Sequence, residues 1–302
     1  MDQCIIRFCQ EFDFPKEALA ALLTAAHTIK THPEAGTMLL QHTSLFWSDL
    51  LEDDDDLALL DQISDLTGIH RYTVYLLFYI TCAETLKEHY IEKGISLSVY
   101  RDTLLDLRWK MNETYRVYGI WGVFCGDWFP LHFHMRLFDL GRLEFEISKS
   151  EFFYENKGYT LHPKDPLLMV HIPESGSLQY EKALDSYRKA EQFFSAMFGG
   201  NRIAFACESW MLDPTMQTLY PEGNLKIFAK DFHILHSEVH EEEDDRWRIF
   251  HMPNDTDIKD YPEDTTLQKN VKQWLLLGNR MKIGTGVFFF SDGRVVPHRD
   301  KA

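Results

Sequence analysis

Three short stretches of this chain combine residue types and spacings suited to chemistry. In the first, Pro173-Glu174-Ser175-Gly176-Ser177-Leu178, small residues stand between an apolar run at 167–172 and a helically periodic segment at 180–197. Small residues before a helix let backbone N–H groups converge on an anion, and the helix dipole adds ~0.3 to 1 kcal/mol in its favour. Ser175, Gly176 and Ser177 are therefore candidates to cradle a phosphate. The plainer alternative is a helix cap, with Ser177 satisfying exposed amides and Pro173 turning the chain. In the second stretch, Cys125-Gly126-Asp127-Trp128, a carboxylate beside an indole can hold an ammonium group by charge and cation–π attraction, the alternative being a buried turn. The third, His132-x-His134, would set two imidazoles on one face of a strand, as some metal sites do. No further ligand stands at a helpful spacing and His-Glu-x-x-His is missing, so no metal is expected.

The elements around these stretches must position them. Apolar residues recur at helical spacing over 15–29, 36–51, 56–67, 72–93 and 97–115, which predicts a helical bundle for the first part of the chain. At Gly119 the texture changes. Gly119, Gly122 and Gly126 interrupt an aromatic segment ending at Pro130, and the domain boundary is placed there, giving a helical domain over 1–118 and a second domain over 119–302. Strand-like runs follow at 142–148, 152–154, 159–161 and 167–172, spaced as an antiparallel meander. Then come the helix at 180–197, a strand at 203–212, a short helix at 224–231, and a hairpin of 232–239 with 246–251. A helix at 265–277, begun by Asp264/Thr265 and ended by Gly278, precedes an apolar return at 287–290.

Composition narrows the function classes. At 302 residues, two domains are the natural division. A net charge of −16 without any basic cluster argues against a nucleic-acid partner. The acidic runs Glu52 to Asp56 and Glu241 to Asp245 read as solvated turns. Five scattered cysteines without a CxxC pair suit a reducing compartment. The N-terminus lacks a secretory pattern and the most apolar stretch, 72–83, is too short to cross a bilayer, so a cytoplasmic protein without a membrane partner is expected. With 22 Phe and 13 Tyr, an aromatic-lined cleft for a small molecule is favoured. Nothing in the composition indicates an oligomeric state.

The order of elements, and the words Gly119-Ile120-Trp121-Gly122-Val123-Phe124-Cys125-Gly126-Asp127-Trp128-Phe129, Val170-His171-Ile172-Pro173-Glu174-Ser175-Gly176-Ser177-Leu178, Cys207-Glu208-Ser209-Trp210-Met211-Leu212 and Leu267-Gln268, resemble a bacterial family. That family couples an N-acyltransferase N-terminal helical domain to a GNAT-like C-terminal domain. The resemblance implies an α+β chain, a helical bundle followed by a mixed, mostly antiparallel sheet with helices. It also implies transfer of an acyl group from coenzyme A to a small-molecule amine acceptor, with acyl-CoA as co-substrate and no metal.

In that fold two neighbouring parallel strands splay apart and the pantetheine arm enters the gap. The resemblance sets 168–172 and 205–211 at the gap. His171 and Glu208 are then candidate bases, with Ser209, Cys207 or Tyr220 as proton donors. Ile172 with Ser175, Gly176 and Ser177 would hold the cofactor, and Asp127, Trp128 and Trp210 the acceptor. A covalent route through Cys207 would need His171 as its partner. The Gln/Arg-x-x-Gly-x-Gly/Ala signature of ordinary acetyltransferases is absent after Ile172, which keeps open a second reading: a non-catalytic acyl-CoA or metabolite-binding protein on a degenerate acetyltransferase fold. A third is an interaction protein whose helical half docks a partner.

Overall fold

A computed structural model describes residues 1–47, 55–199, 202–220, 223–239 and 245–297. The chain divides into two compact units, Met1–Phe138 and Asp139–Ala302.

The first unit contains α1 (Asp2–Glu11), α2 (Lys16–Thr31), α3 (Pro33–Phe46), α4 (Asp55–Thr67), α5 (Arg71–Glu92), α6 (Leu97–Tyr118) and the single turn α7 (Pro130–Phe133). In α5 every residue from Val74 to Ile80 is buried, so it is the central helix and its neighbours surround it. The others bury one stripe each, as Leu22, Ala25, Ala26 and Ile29 do in α2. Pro15 precedes α2 and the Ser96 hydroxyl caps α6 by accepting from Ser98 N–H, so local chemistry sets these helix starts. Among the described residues no helix is long and apolar enough to cross a membrane.

The glycine-rich segment after α6 packs on α5. Val123 N–H donates to the Tyr72 carbonyl at 3.0 Å, and the Tyr79 hydroxyl donates to the Gly126 carbonyl at 2.7 Å. Gly122 is required by this approach: a Cβ there would stand 2.3 Å from the Tyr72 carbonyl carbon. Gly122→Ala is expected to destabilise the folded chain by about 2 kcal/mol, since backbone, not a pliable side chain, must move. Urea denaturation at constant m-value measures it, and an unchanged midpoint would refute the packing account.

The second unit begins within β1 (Leu137–Asp139) and contains β2 (Glu144–Lys149), β3 (Tyr154–Asn156), β4 (Tyr159–Leu161), β5 (Pro166–His171), α8 (Tyr180–Phe193), β6 (Arg202–Ser209), α9 (Pro214–Leu219), α10 (Asn224–Ala229), β7 (His233–Glu238), α11 (Arg246–Phe250), α12 (Thr266–Leu276), β8 (Ile283–Ser291) and β9 (Arg294–Val295). Spatial order in its sheet is β2-β5-β6-β8-β7, with β9 on β8. The β5–β6 pair is parallel and its neighbours are antiparallel, so the sheet is mixed and mostly antiparallel.

Alternation along the strands makes two faces. On one, Phe145, Phe205, Phe288 and Phe290 pack around Tyr187 of α8. On the other, Leu167, Ala204, Ala206, Val287 and Phe289 form a core with Tyr154 and Leu161 of the β3–β4 hairpin.

Two expectations are corrected here. The four strand-like runs at 142–172 do not make a meander: β2 pairs directly with β5, from Glu144 opposite His171 to Lys149 opposite Pro166. The β3–β4 hairpin leaves the sheet and lays Tyr154 and Tyr159 on Phe289, burial that a flat meander would not supply. Nor do 232–239 and 246–251 form a hairpin. The β7 strand pairs with β8, and 246–250 is helical, because adjacent Ile249 and Phe250 are both buried in one core, which strand alternation does not permit. Phe250 stacks on Tyr261 at 4.2 Å. Of the two acidic runs, Glu52 to Asp54 and Glu241 to Asp244 lie outside the described residues, while Asp245 accepts from Arg248 Nε at 2.8 Å.

Candidate functional site

The second unit contains an opening in its sheet. The parallel ladder of β5 and β6 has register partners only at Leu168 with Phe205 and Met169 with Ala206. Each strand nevertheless stays paired on its outer side to its end, Glu144 with His171 and Ser209 with Gly284. Beyond Met169 and Ala206 the two inner edges therefore part, and 170–171 and 207–209 face each other with peptide groups outside any β5–β6 ladder. Backbone donors and acceptors of this kind need a partner, and an extended amide-bearing chain can provide one.

Register decides which side chains share each face of that opening. Met169 and Ala206 are partners, so His171 and Glu208, two residues further along each strand, lie on the same face, one on either side of the gap. This is the apolar face under the β3–β4 hairpin, which turns polar as the strands separate. His171 Nε2 lies 2.9 Å from Glu146 Oε2, and Glu146, on β2, is diagonal to it across the ladder. This carboxylate fixes the imidazole's orientation. Glu208 is exposed, and its Oε1 accepts from the hydroxyl of its register partner Thr285 at 3.5 Å.

Cys207 belongs to the opposite face, 1% exposed beside Phe205, and burial followed by the nearby Glu208 carboxylate pushes its thiol pKa well up. The structure therefore does not bring Cys207 and His171 together, and a buried neutral thiol is a poor nucleophile. The Ser209 hydroxyl accepts from Met211 N–H at 3.2 Å and starts the 3-10 turn Trp210–Leu212. Trp210 is 5% exposed in a core with Met216, Phe250, Tyr261 and Ile283, and Tyr220, after α9, is half-buried.

Between β5 and α8, residues 172–179 are organised by Arg142. Its guanidinium, in a side chain 8% exposed, donates to the carbonyl oxygens of Pro173 at 2.9 Å, Gly176 at 2.8 Å and Ser177 at 3.2 Å. Gly176 has φ +119°, a conformation open to glycine, which brings its carbonyl to Arg142. Burial lowers the Arg142 pKa, opposed by Asp139 and Glu144, and the side chain stays a cation. Ser177 does not cap α8. The N-cap is Gln179, which makes no side-chain cap bond, and the Ser177 hydroxyl instead accepts from Asn224 Nδ2 at 3.0 Å. With their carbonyls drawn to Arg142 and the first turn of α8 beside them, Ser175 to Ser177 offer an anion a positive helix end without a side-chain cap.

Asp127 and Trp128 belong to the first unit. Asp127 is exposed, and Trp128 Nε1 donates to buried Asp106 at 3.0 Å. Burial opposes ionisation of Asp106, yet Lys110, His132 and Trp128 together hold its pKa below the usual carboxylate value. His132 and His134 stand in and just after α7, a helical turn, so they do not share a strand face. His132 is buried, and His134 Nε2 lies 3.4 Å from the Phe46 carbonyl.

Sequence reasoning missed Arg142, Glu146, Thr285 and His236. Only the alternation of Glu144 and Glu146 along β2 signalled a polar strand face. Arg142 precedes the carbonyls it holds by 31 to 35 positions, with no local motif to announce it.

A mixed, mostly antiparallel sheet whose one parallel pair parts toward its C-terminal ends is the GNAT-like class of fold. A family model described as GNAT-like C-terminal domain matches residues 137–288, and one described as N-acyltransferase N-terminal domain matches 4–135. The chain belongs to the family that joins these two domains. No curated protein matches it. Among solved structures, it is similar to a mutant acyltransferase in complex with octanoyl-CoA, at 19% identity and TM-score 0.73 over 94% of this chain and 86% of that one. It is also similar to an acyltransferase in complex with decanoyl-CoA and teicoplanin, at 18% identity and TM-score 0.72 over 93% and 86%. A third, an acyltransferase in complex with CoA and 10C-teicoplanin, gives 18% and 0.62 over 95% and 99%. These likenesses establish the fold.

Proposed function

We propose that this protein transfers an acyl group from an acyl-CoA thioester to an amine by direct attack. The observation that carries this reading is the parting of β5 and β6 with His171 and Glu208 on one face of the gap. The pantetheine arm, with its two amides, pairs with the inner strand edges. The pyrophosphate lies against Ile172 and Ser175 to Ser177, at the end of α8. Glu208 or the oriented His171 accepts a proton from the acceptor ammonium, the freed amine attacks the thioester carbonyl, and the C–S bond breaks. Proton transfer by a positioned side chain contributes ~100- to 10,000-fold. Ser209 is the candidate donor to the leaving thiolate. The buried thiol of Cys207 favours direct attack over a covalent route. A cytoplasmic site of action fits a donor of this class.

The test is thermal unfolding of the purified chain with coenzyme A and acyl-CoAs of increasing length, because a ligand bound only by the folded state raises Tm. The ligands of the similar structures make eight- to ten-carbon donors the first to try. A rise of several degrees that depends on chain length, with turnover on an amine panel, is the expected result. A shift without turnover would favour the non-catalytic binding protein, and no shift at saturation would defeat both.

A further inference from the structure

Glu208 does not stand alone on its face of the sheet. Its register partner on β8, Thr285, is 4% exposed and aligned with His236 on β7. A bulge between Ile234 and His236 sets that register, and without it the imidazole would turn to the other face. Thr285 Oγ1 lies 3.5 Å from Glu208 Oε1 and 3.2 Å from His236 Nε2. Three adjacent strands thus present carboxylate, hydroxyl and imidazole abreast, the hydroxyl buried and the imidazole 53% exposed. Among the described residues, Glu238 on the same strand also approaches the imidazole, its Oε1 3.8 Å from His236 Nε2.

We infer that Thr285 and His236 form a proton outlet for Glu208, an inference that rests on the acyltransferase reading. Joining an ammonium to a thioester releases one net proton: the nitrogen loses two, the new C–N bond replaces the C–S bond, and the thiolate takes one proton back. The other goes to Glu208. Protonated Glu208 donates to Thr285 Oγ1, the Thr285 proton passes to His236 Nε2, and the imidazole discharges to water. A hydroxyl with one carboxylate and one imidazole partner can carry a proton either way, and a solvent-exposed imidazole can pass it to water. His236 and Thr285 are positioning residues in this scheme and do not touch the substrate.

The experiment compares His236→Gln, Thr285→Val and Glu208→Gln in steady-state turnover. Expected are about 10-fold lower kcat for His236→Gln and Thr285→Val, donor KM within about twofold, and partial rescue of His236→Gln alone by added imidazole. The pH profile of kcat should differ between His236→Gln and the unaltered chain. Unaltered kcat and pH profile in both variants, with Glu208→Gln impaired, would overturn the outlet and leave the acyltransferase reading standing. Donor binding without turnover by the unaltered chain would defeat the catalytic reading and the outlet with it. A readout independent of turnover is the NMR spectrum of the His236 imidazole, whose ring resonances should move in Glu208→Gln and in Thr285→Val because the three groups are hydrogen-bonded in line. No displacement would overturn the coupling.

Discussion

Arg142→Met should weaken acyl-CoA binding by about 10- to 100-fold and lower Tm by several degrees. Methionine keeps the apolar stem and removes the fork that joins three carbonyls, those of Pro173, Gly176 and Ser177. Bonds from a charged donor are worth ~1.5 to 3 kcal/mol each, and part of that is recovered because Gly176 and Ser177 are exposed and can turn to water. The remainder is the cost of a loop no longer held with its carbonyls inward, and that arrangement is what leaves the anion-facing side open. Arg142→Lys should rescue little, since an ammonium cannot reproduce a planar fork. Calorimetric titration with coenzyme A, alongside hydrogen exchange at 173–178, measures both effects. Wild-type affinity in Arg142→Met would show that this loop does not hold the cofactor.

The second large effect is kinetic. Glu208→Gln should reduce kcat by about 100-fold or more while donor affinity changes little, because the amide keeps the shape of the side chain and cannot accept the proton. Glu208 is exposed and its described hydrogen-bond partner is a threonine hydroxyl, so the fold has little stake in its charge. Steady-state kinetics with a fixed amine, checked by an unchanged thermal midpoint, separates chemistry from folding. Should Glu208→Gln turn over normally while His171→Gln fails, the proton acceptor is the imidazole held by Glu146 across the gap.

Much of the architecture was legible in the chain. Helical spacing locates α2 through α6, and β4 stands where the sequence predicts a strand at 159–161. The capping box of Thr265 and Gln268 confirms the start of α12. These features survive because they are local: side-chain period, caps and breakers act within a turn or two. The segment 246–251 failed for the complementary reason. Its composition suits strand or helix, and burial of Ile249 and Phe250 in a core with Tyr261 and Val271 decided for helix.

The candidate site divides along the same line. By itself the sequence determined a titratable residue at the end of β5, another near the end of β6, and small residues before a helix. It did not determine which of them meet. Only the register of β5 on β6 sets His171 and Glu208 on one face and turns Cys207 to the other, because a shift of one residue would reverse every side chain. Only the folded chain brings Arg142 to the carbonyls of 173–177, and Thr285 and His236 to Glu208, across separations of up to 77 residues. Strand pairing and a buried guanidinium are satisfied by partners distant in the chain, and no local pattern encodes which partners those are.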